Sequence, residues 1–243
     1  MGAKQGTTQY CEAAGMKPGS PLELLQSNAR FRRLWLAQLT SMAGDFISQV
    51  ALSALLFRLS GQAAVVGLLT VASNLPIFIA SPIAGAVADR FNRLHVMLIC
   101  DLLRAALILG LLAVKDPSQV WLALLLVALV ETASAFFEPA SSAVLPQVVE
   151  ERHLAAAITL GSISWSSTLA IGAAVGGVIV TKWGAPAAFW VNSASFLISA
   201  LLILSVGLNS QSSERPPKPF HPLRDVREGL GYVATEPRLL AVL

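Results

Sequence analysis

Six long apolar stretches, separated by short polar segments, dominate the pattern of the chain. They cover residues 34–57, 63–84, 94–114, 119–138, 156–181 and 186–208. Each is about 20 residues or longer, the length an α-helix needs to cross roughly 30 Å of hydrocarbon. Backbone groups in lipid must be paired within the segment itself, so each stretch is predicted to be a membrane-spanning helix. The pattern therefore predicts an all-α integral membrane protein.

The segments that flank this six-helix block, residues 34–208, have a different character. Residues 1–33 are polar and are predicted to form a cytoplasmic tail without a cleavable signal peptide. Residues 209–236 begin as a proline-rich linker and continue with apolar residues at helical spacing, which predicts an amphipathic helix on the membrane surface. Residues 237–243 turn apolar again, and we interpret them as the start of a truncated seventh span.

The composition agrees with a membrane protein and argues against several soluble classes. Hydrophobic residues make up 55% of the chain and charged residues 13%, whereas soluble domains carry about 25% charged residues. The two cysteines, Cys11 and Cys100, lie in a polar tail and an apolar stretch, which suits neither a disulfide nor a metal site. The net charge of +3 comes with no basic stripe. We therefore expect no metal, no cofactor and no nucleic-acid partner.

The positions of Lys and Arg predict the orientation. With the N-terminus inside the cell, the outer loops hold only Arg58, Lys115 and Lys182, and Arg104 lies within a span. The remaining 13 of the 17 basic residues fall on the inner side. Cytoplasmic loops carry such an excess of Lys and Arg. We therefore expect a multi-pass protein of the plasma or inner membrane with both termini in the cytoplasm.

Polar side chains recur at helical spacing within the spans, and lipid offers them no hydrogen-bond partner. Even on the lenient insertion scale, a charge at mid-membrane costs roughly 2.5–3.5 kcal/mol. Such residues are candidates for a water-filled passage that binds a solute or protons. The predicted cavity residues are Asp45, Gln49, Asn74, Asp101, Arg104 and Glu131.

Two readings stay open for the charged members of this set. Asp101 and Arg104 are three residues apart, so they either neutralise each other or contact a substrate. Glu131 lies about eleven residues into its span, near the midplane, and Asp45 also lacks a partner nearby in sequence. Both are candidates for proton exchange, and the alternative is pairing with a basic residue in a missing half of the protein.

The connection after the second span carries a recognisable motif. The run from Gly85 to Met97 reads GAVADRFNRLHVM and resembles the signature loop of the major facilitator superfamily. Gly85, Ala88, Asp89, Arg90 and Arg93 match the motif, whereas Val87, Asn92 and Leu94 depart from it. We expect Gly85 to allow close helix approach and Asp89 to lie near the positive start of the third helix. At Asn92, we expect Asn to tolerate the left-handed conformation that Gly would supply.

Further matches resemble the drug and siderophore efflux branch of this superfamily, which includes the enterobactin exporter and macrolide-efflux proteins. Asn28-x-x-Phe31 followed by Gly44-Asp45 is one such match. The glycines Gly172, Gly176 and Gly177 form a small-residue surface suited to close helix packing, and they resemble the antiporter motif of the fifth span. Ala173 stands where that motif usually has Pro, which weakens the specific indication of antiport.

The resemblance implies one six-helix half of a twelve-helix transporter, whose other half is a C-terminal segment or a second chain. It implies that Asp89 and Arg93 latch the two halves together, with Glu138 as an arginine partner. The implied activity is proton-coupled efflux of a small amphipathic solute by alternating access. The alternatives are a lipid flippase of the same fold and a half that acts only in assembly or regulation. A membrane-embedded enzyme is disfavoured because the sequence has no metal-ligand cluster, nucleophile elbow or phosphate loop.

Overall fold

The computed structural model describes residues 20–207, and within them the chain forms seven α-helices and no strand. The short helix α1 precedes six helices that are long and apolar enough to cross a membrane. This confirms the predicted number and order of the spans. The helices are α1 (Pro21–Ser27), α2 (Ala29–Ser60), α3 (Ala63–Arg90), α4 (Arg93–Gly110), α5 (Val120–Val148), α6 (Leu154–Trp183) and α7 (Ala185–Val206).

Several helices extend beyond the apolar stretches that predict them. Helix α3 continues through the predicted loop to Arg90, and α5 continues to Val148 although Pro139 and Pro146 lie within it. Hydropathy marks the part of a helix that suits hydrocarbon, whereas backbone hydrogen bonding continues into the polar interface. Residues 1–19, the linker with its predicted amphipathic helix at 209–236, and the predicted seventh span at 237–243 lie outside the described residues.

Helix α1 occupies part of the segment predicted to be a tail. Ser20 and Glu23 form a capping box, with the Glu23 N–H donating to Ser20 Oγ at 3.1 Å. Leu24 is buried against the connection between α5 and α6. Asn28 caps the start of α2, and its Nδ2 donates to the Val148 carbonyl at 2.6 Å. The α1 segment is therefore held against the ends of the spanning helices.

The six spanning helices form a bundle in which they differ in how deeply they are buried. Helix α2 packs mainly against α6 and α7, α4 packs against α5 and α7, and α3 packs mainly against α5. Helices α3 and α6 are the least buried of the six, and their outer faces carry large apolar side chains. A surface of this kind suits lipid or another membrane segment rather than water.

The glycines differ in what their missing side chains allow. A Cβ at Gly172 would lie 2.8 Å from Phe46 Cβ, and one at Gly176 would lie 3.0 Å from the Ile47 backbone, so both permit α6 to approach α2. At Gly85 and Gly177 an added Cβ would meet no heavy atom of the described residues within 4 Å. The close approach predicted for these two glycines is therefore not seen in this part of the chain.

Candidate functional site

All six spanning helices contribute to one cavity of about 430 Å³. Its wall contains three carboxylates, Asp45, Glu131 and Glu138, together with the guanidinium of Arg104. The polar residues that α2 contributes are Asp45, Ser48 and Gln49, and those that α3 contributes are Ser73 and Ser81. A concave, mixed polar and apolar space of this size can hold a small solute.

Helix α5 supplies the acidic wall. Glu131, Ser134 and Glu138 follow at intervals of three and four residues, so they lie on one helix face, and all three line the cavity. Among the described residues neither Glu131 nor Glu138 has a hydrogen bond or an ion pair within 4 Å. Their carboxyl groups are therefore available to bind a proton, water or a cationic group.

The side chain of Asp45 projects from α2 towards α7. Its Oδ1 accepts a hydrogen bond from Asn192 Nδ2 at 3.4 Å. The two helices come close at this point because residue 44 is Gly: a Cβ there would lie 2.0 Å from Ser195 Oγ and 2.4 Å from Asn192 Oδ1. The Gly44-Asp45 pair therefore combines a close helix contact with a carboxylate directed at the cavity.

Asp101 and Arg104 form a buried ion pair on α4, which supports the pairing alternative. Asp101 is fully buried, and its Oδ2 accepts a hydrogen bond from Ser199 Oγ at 2.6 Å. The guanidinium of Arg104 lies between the rings of Phe137 and Phe196, 4.4 and 4.5 Å from their centroids. Arg104 lines the cavity, whereas Asp101 lies behind it.

A second crevice of about 460 Å³ adjoins the cavity and shares Glu138 and Trp165 with it. It continues towards Phe31 and Leu145, near the end of the bundle that charge distribution predicts to be cytoplasmic. Within it, Gln38 and Ser141 are hydrogen-bonded to each other. The two spaces together form a partly polar path along the faces of α2, α5 and α6.

Two other predicted cavity residues, Gln49 and Asn74, differ in their position relative to the cavity. Gln49 lines the cavity, one helical turn from Asp45. Asn74 does not line it: its Nδ2 donates to the Thr70 carbonyl of its own helix at 2.8 Å, and the side chain is exposed. Asn74 therefore lies outside this cavity of the described residues, and its predicted role stays a prediction. The neighbouring Ser73 occupies the cavity face, because one residue rotates a helix by about 100°.

The signature loop also differs from its predicted geometry. Asp89 lies in the last turn of α3, and α4 begins only at Arg93, so Asp89 is not at the start of the following helix. Asn92 is extended, with φ −62° and ψ 115°, and its Oδ1 accepts from the Leu94 N–H at 3.0 Å as the cap of α4. The expected left-handed conformation is absent at this position because Asn92 serves as an N-cap instead.

Arg90 and Asp89 are exposed at this end of α3. Arg93 is half-buried, and it donates from Nη1 to the Ala143 carbonyl at 3.0 Å and from Nε to the Ala88 carbonyl at 3.3 Å. These contacts join the ends of α3, α4 and α5. Glu138 lies on the cavity side of α5 and makes no ion pair with Arg93 within the described residues.

Sequence reasoning did not select several residues that complete the site. Asn192 and Ser199 hold Asp45 and Asp101, Ser134 accepts a hydrogen bond from Arg104 Nη1 at 3.4 Å, and Trp165 joins the two spaces. The helical spacing of Asn192, Ser195 and Ser199 was a usable signal. Over residues 20–207 no three His, Cys, Asp or Glu side chains group as metal ligands.

Comparison with known proteins identifies the family. Residues 20–243 match the family model described as "Transmembrane secretion effector", a family of the major facilitator superfamily (MFS). The chain is 26% identical to the uncharacterized MFS-type transporter YfiS of Bacillus subtilis, over 90% of this chain and 53% of the relative. It is 23% identical to macrolide efflux protein A of Streptococcus pyogenes, over 88% of this chain and 53% of that protein.

A third relative is the multidrug efflux pump Tap of Mycobacterium tuberculosis, 26% identical over 81% of this chain and 49% of the pump. The chain thus spans about half the length of the curated relatives it matches. These relatives are named as transporters, not enzymes. Six membrane-spanning helices with this match over most of the chain show that it belongs to the transmembrane secretion effector family of major facilitator transporters.

Proposed function

We propose that this chain forms one half of a secondary active transporter that exports a small amphipathic solute in exchange for protons. The observation that carries the proposal is the cavity itself, in which Asp45, Glu131 and Glu138 face one space inside membrane-spanning helices. Carboxylates are too costly within a bilayer to be retained without a role or a partner. The efflux functions named for two relatives support the direction of transport.

In this proposal the solute occupies the space between α2, α3, α5 and α6. Phe46 and Trp165 provide apolar surface there, and their rings form a T-shaped pair with centroids 6.3 Å apart. Glu131 and Asp45 bind protons or a cationic group of the solute. The signature loop, with Gly85, Asp89, Arg90 and Arg93, gates the movement between inward-open and outward-open states. Alternating access follows from rocking of two six-helix halves around a fixed site.

A second six-helix half completes the cavity in this proposal, either as a C-terminal segment or as a second chain. Two observations support it: the chain spans about half the length of its relatives, and α3 and α6, which both contribute to the cavity wall, are the least buried spans and carry exposed apolar side chains. We also propose that the protein lies in the plasma or inner membrane with both termini in the cytoplasm. Domain boundaries at 33, 208 and 236 stay predictions.

The test is transport by the purified chain, with any partner that accompanies it from its host membrane, in liposomes. Ethidium serves as an amphipathic probe, and its movement is followed by fluorescence under an imposed pH gradient. We expect movement that stops when a protonophore collapses the gradient. Glu131→Gln is expected to abolish the dependence on the gradient, whereas Asn74→Gln, a change outside the cavity, is expected to retain it. Gradient-independent movement in the unaltered protein would contradict proton coupling.

A half that acts only in assembly or regulation is a second candidate, favoured by the chain spanning about half of its relatives. It predicts that the chain binds a partner but that ethidium movement is insensitive to Glu131→Gln. A lipid flippase of the same fold is separated by the cargo: fluorescent lysophospholipid would cross the bilayer while ethidium would not.

A further inference from the structure

We infer that α7 positions the charged groups of the cavity, through the buried polar side chains Asn192, Ser195 and Ser199. These residues lie at intervals of three and four on one face of α7. All three are buried, with at most 7% of each residue exposed, and only Asn192 reaches the cavity wall. The inference rests on the proposed function, since it concerns how the same cavity works.

The first contact orients Asp45. Asn192 donates its amide to Asp45 Oδ1, and Ser195 Oγ lies 3.1 Å from Asn192 Oδ1 on the opposite side of that amide. Ser195 is itself held by donating to the Asn192 main-chain carbonyl at 2.7 Å. Gly44 provides the space for this arrangement. The carboxyl group of Asp45 therefore takes its direction from α7.

The second contact orients Arg104 indirectly. Ser199 Oγ donates a hydrogen bond to Asp101 Oδ2, and the guanidinium of Arg104 donates to the other carboxylate oxygen, Oδ1. Phe196, also on α7, covers one face of that guanidinium, while Phe137 of α5 covers the other. A guanidinium enclosed in this way has little rotational freedom. Ser199 and Asp101 are thus positioning residues for the cation that faces Asp45 and Glu131 across the cavity.

Both contacts belong to one rigid element. Asn192 and Ser199 are seven residues apart, or roughly 10.5 Å along a helix. A shift of α7 against α2 and α4 must therefore change the placement of Asp45 and Arg104 together. A single helix movement can therefore shift the acidic and the basic group of the cavity at the same time. In this way α7 links occupation of the cavity by a solute to the release of protons.

The chain offers a matched control for this inference. Ser193 is also a buried serine of α7, but its Oγ donates to the main-chain carbonyl of Ala105 at 3.0 Å and has no hydrogen bond to an acidic side chain within residues 20–207. Ser193→Ala and Ser199→Ala each remove one buried serine hydroxyl from the same helix. If the buried serines only join helices, both changes will have the same effect.

The experiment measures protons released per ethidium bound by the purified protein in weakly buffered detergent, beside the dissociation constant for ethidium. We expect Asn192→Ala and Ser199→Ala to change the proton ratio at least twofold, and Ser193→Ala to leave it unchanged. Equal effects of Ser199→Ala and Ser193→Ala would overturn the inference. If the unaltered protein releases no protons when ethidium binds, both the proposed function and the inference are contradicted. If it releases protons and Glu131→Gln stops the release, the proposed function stands. Equal effects of the two serine changes would then overturn the inference alone.

A second measurement needs no bound solute. Dicyclohexylcarbodiimide labels carboxyl groups in apolar surroundings, and mass spectrometry locates the label. We expect labelling of Asp45 to rise at least twofold in Asn192→Ala, because the carboxyl group loses the amide that occupies one of its oxygens. Ser193→Ala should match the unaltered protein. Unchanged labelling at Asp45 in Asn192→Ala would show that α7 does not position it.

Discussion

The side of the bundle where α7 meets α2 and α4, the packed side, differs sharply from the side where α3, α5 and α6 face the cavity, the open side. On the packed side Asp101 is fully buried and both of its oxygens are occupied, by Ser199 and Arg104. On the open side Glu131 and Glu138 have no such partner among the described residues. Carboxylates on neighbouring helices therefore have opposite surroundings: one is paired within the bundle, and the others face the cavity without a partner among the described residues.

The largest loss of stability is expected on the packed side. Asp101→Asn leaves the Arg104 charge buried without its counter-charge, and breaking such a pair costs about 3–5 kcal/mol. Unfolding of the purified protein, followed by circular dichroism in detergent, measures the loss. The double variant with Asp101→Leu and Arg104→Met should unfold near the unaltered protein, because replacing both charges with apolar groups is often neutral. A single variant as stable as the double one would contradict a structural role for this pair.

Helix contacts give a second, smaller contrast. Gly176→Ala places a Cβ 3.0 Å from the Ile47 backbone, which cannot move aside as a side chain can, so we expect a loss of about 1–3 kcal/mol. Gly177→Ala on the same helix meets no described atom within 4 Å and should leave stability unchanged or raise it by up to about 1 kcal/mol. The same unfolding measurement compares the two variants. Equal losses would show that a partner surface also packs closely on Gly177.

Much of the fold was predictable from sequence because a bilayer leaves few alternatives. Apolar stretches of membrane length predicted all six spans. The extension of α3 to Arg90 was not predictable from hydropathy, because helices continue past the hydrocarbon without an apolar signal. The contact of Asn192 with Asp45 was equally hidden, since it depends on how two distant helices pack.

The distinction between the two sides was the part that sequence left open. Asp101 and Glu131 are both acidic residues within apolar stretches, and sequence alone ranked both as candidates. Only the structure shows that Arg104 and Ser199 saturate one of them. The difference between Ser73 and Asn74 has a similar cause: these adjacent polar residues point in different directions, and hydropathy does not reveal which direction faces the cavity.

On the open side we expect loss of function with little loss of stability. Glu131→Gln removes no hydrogen bond or ion pair of the described residues, so the free energy of unfolding should stay within about 0.5 kcal/mol of the unaltered protein. The pH-gradient dependence of ethidium movement should nevertheless disappear. Retention of that dependence would exclude Glu131 as the proton carrier. A loss of stability comparable to that of Asp101→Asn would erase the contrast between the two sides.

An effect on stability of the opposite sign is expected at Asp89, outside both sides. Asp89 is exposed in the last turn of α3, where the negative end of the helix dipole disfavours a carboxylate. Asp89→Asn should therefore leave stability unchanged or raise it by about 0.3–1 kcal/mol. A carboxylate kept at a position unfavourable to its own helix is consistent with a contact made in another state, as the proposed gate requires. We accordingly expect ethidium movement to fall several-fold in Asp89→Asn while membrane insertion stays normal, and an unchanged rate would remove Asp89 from the gate.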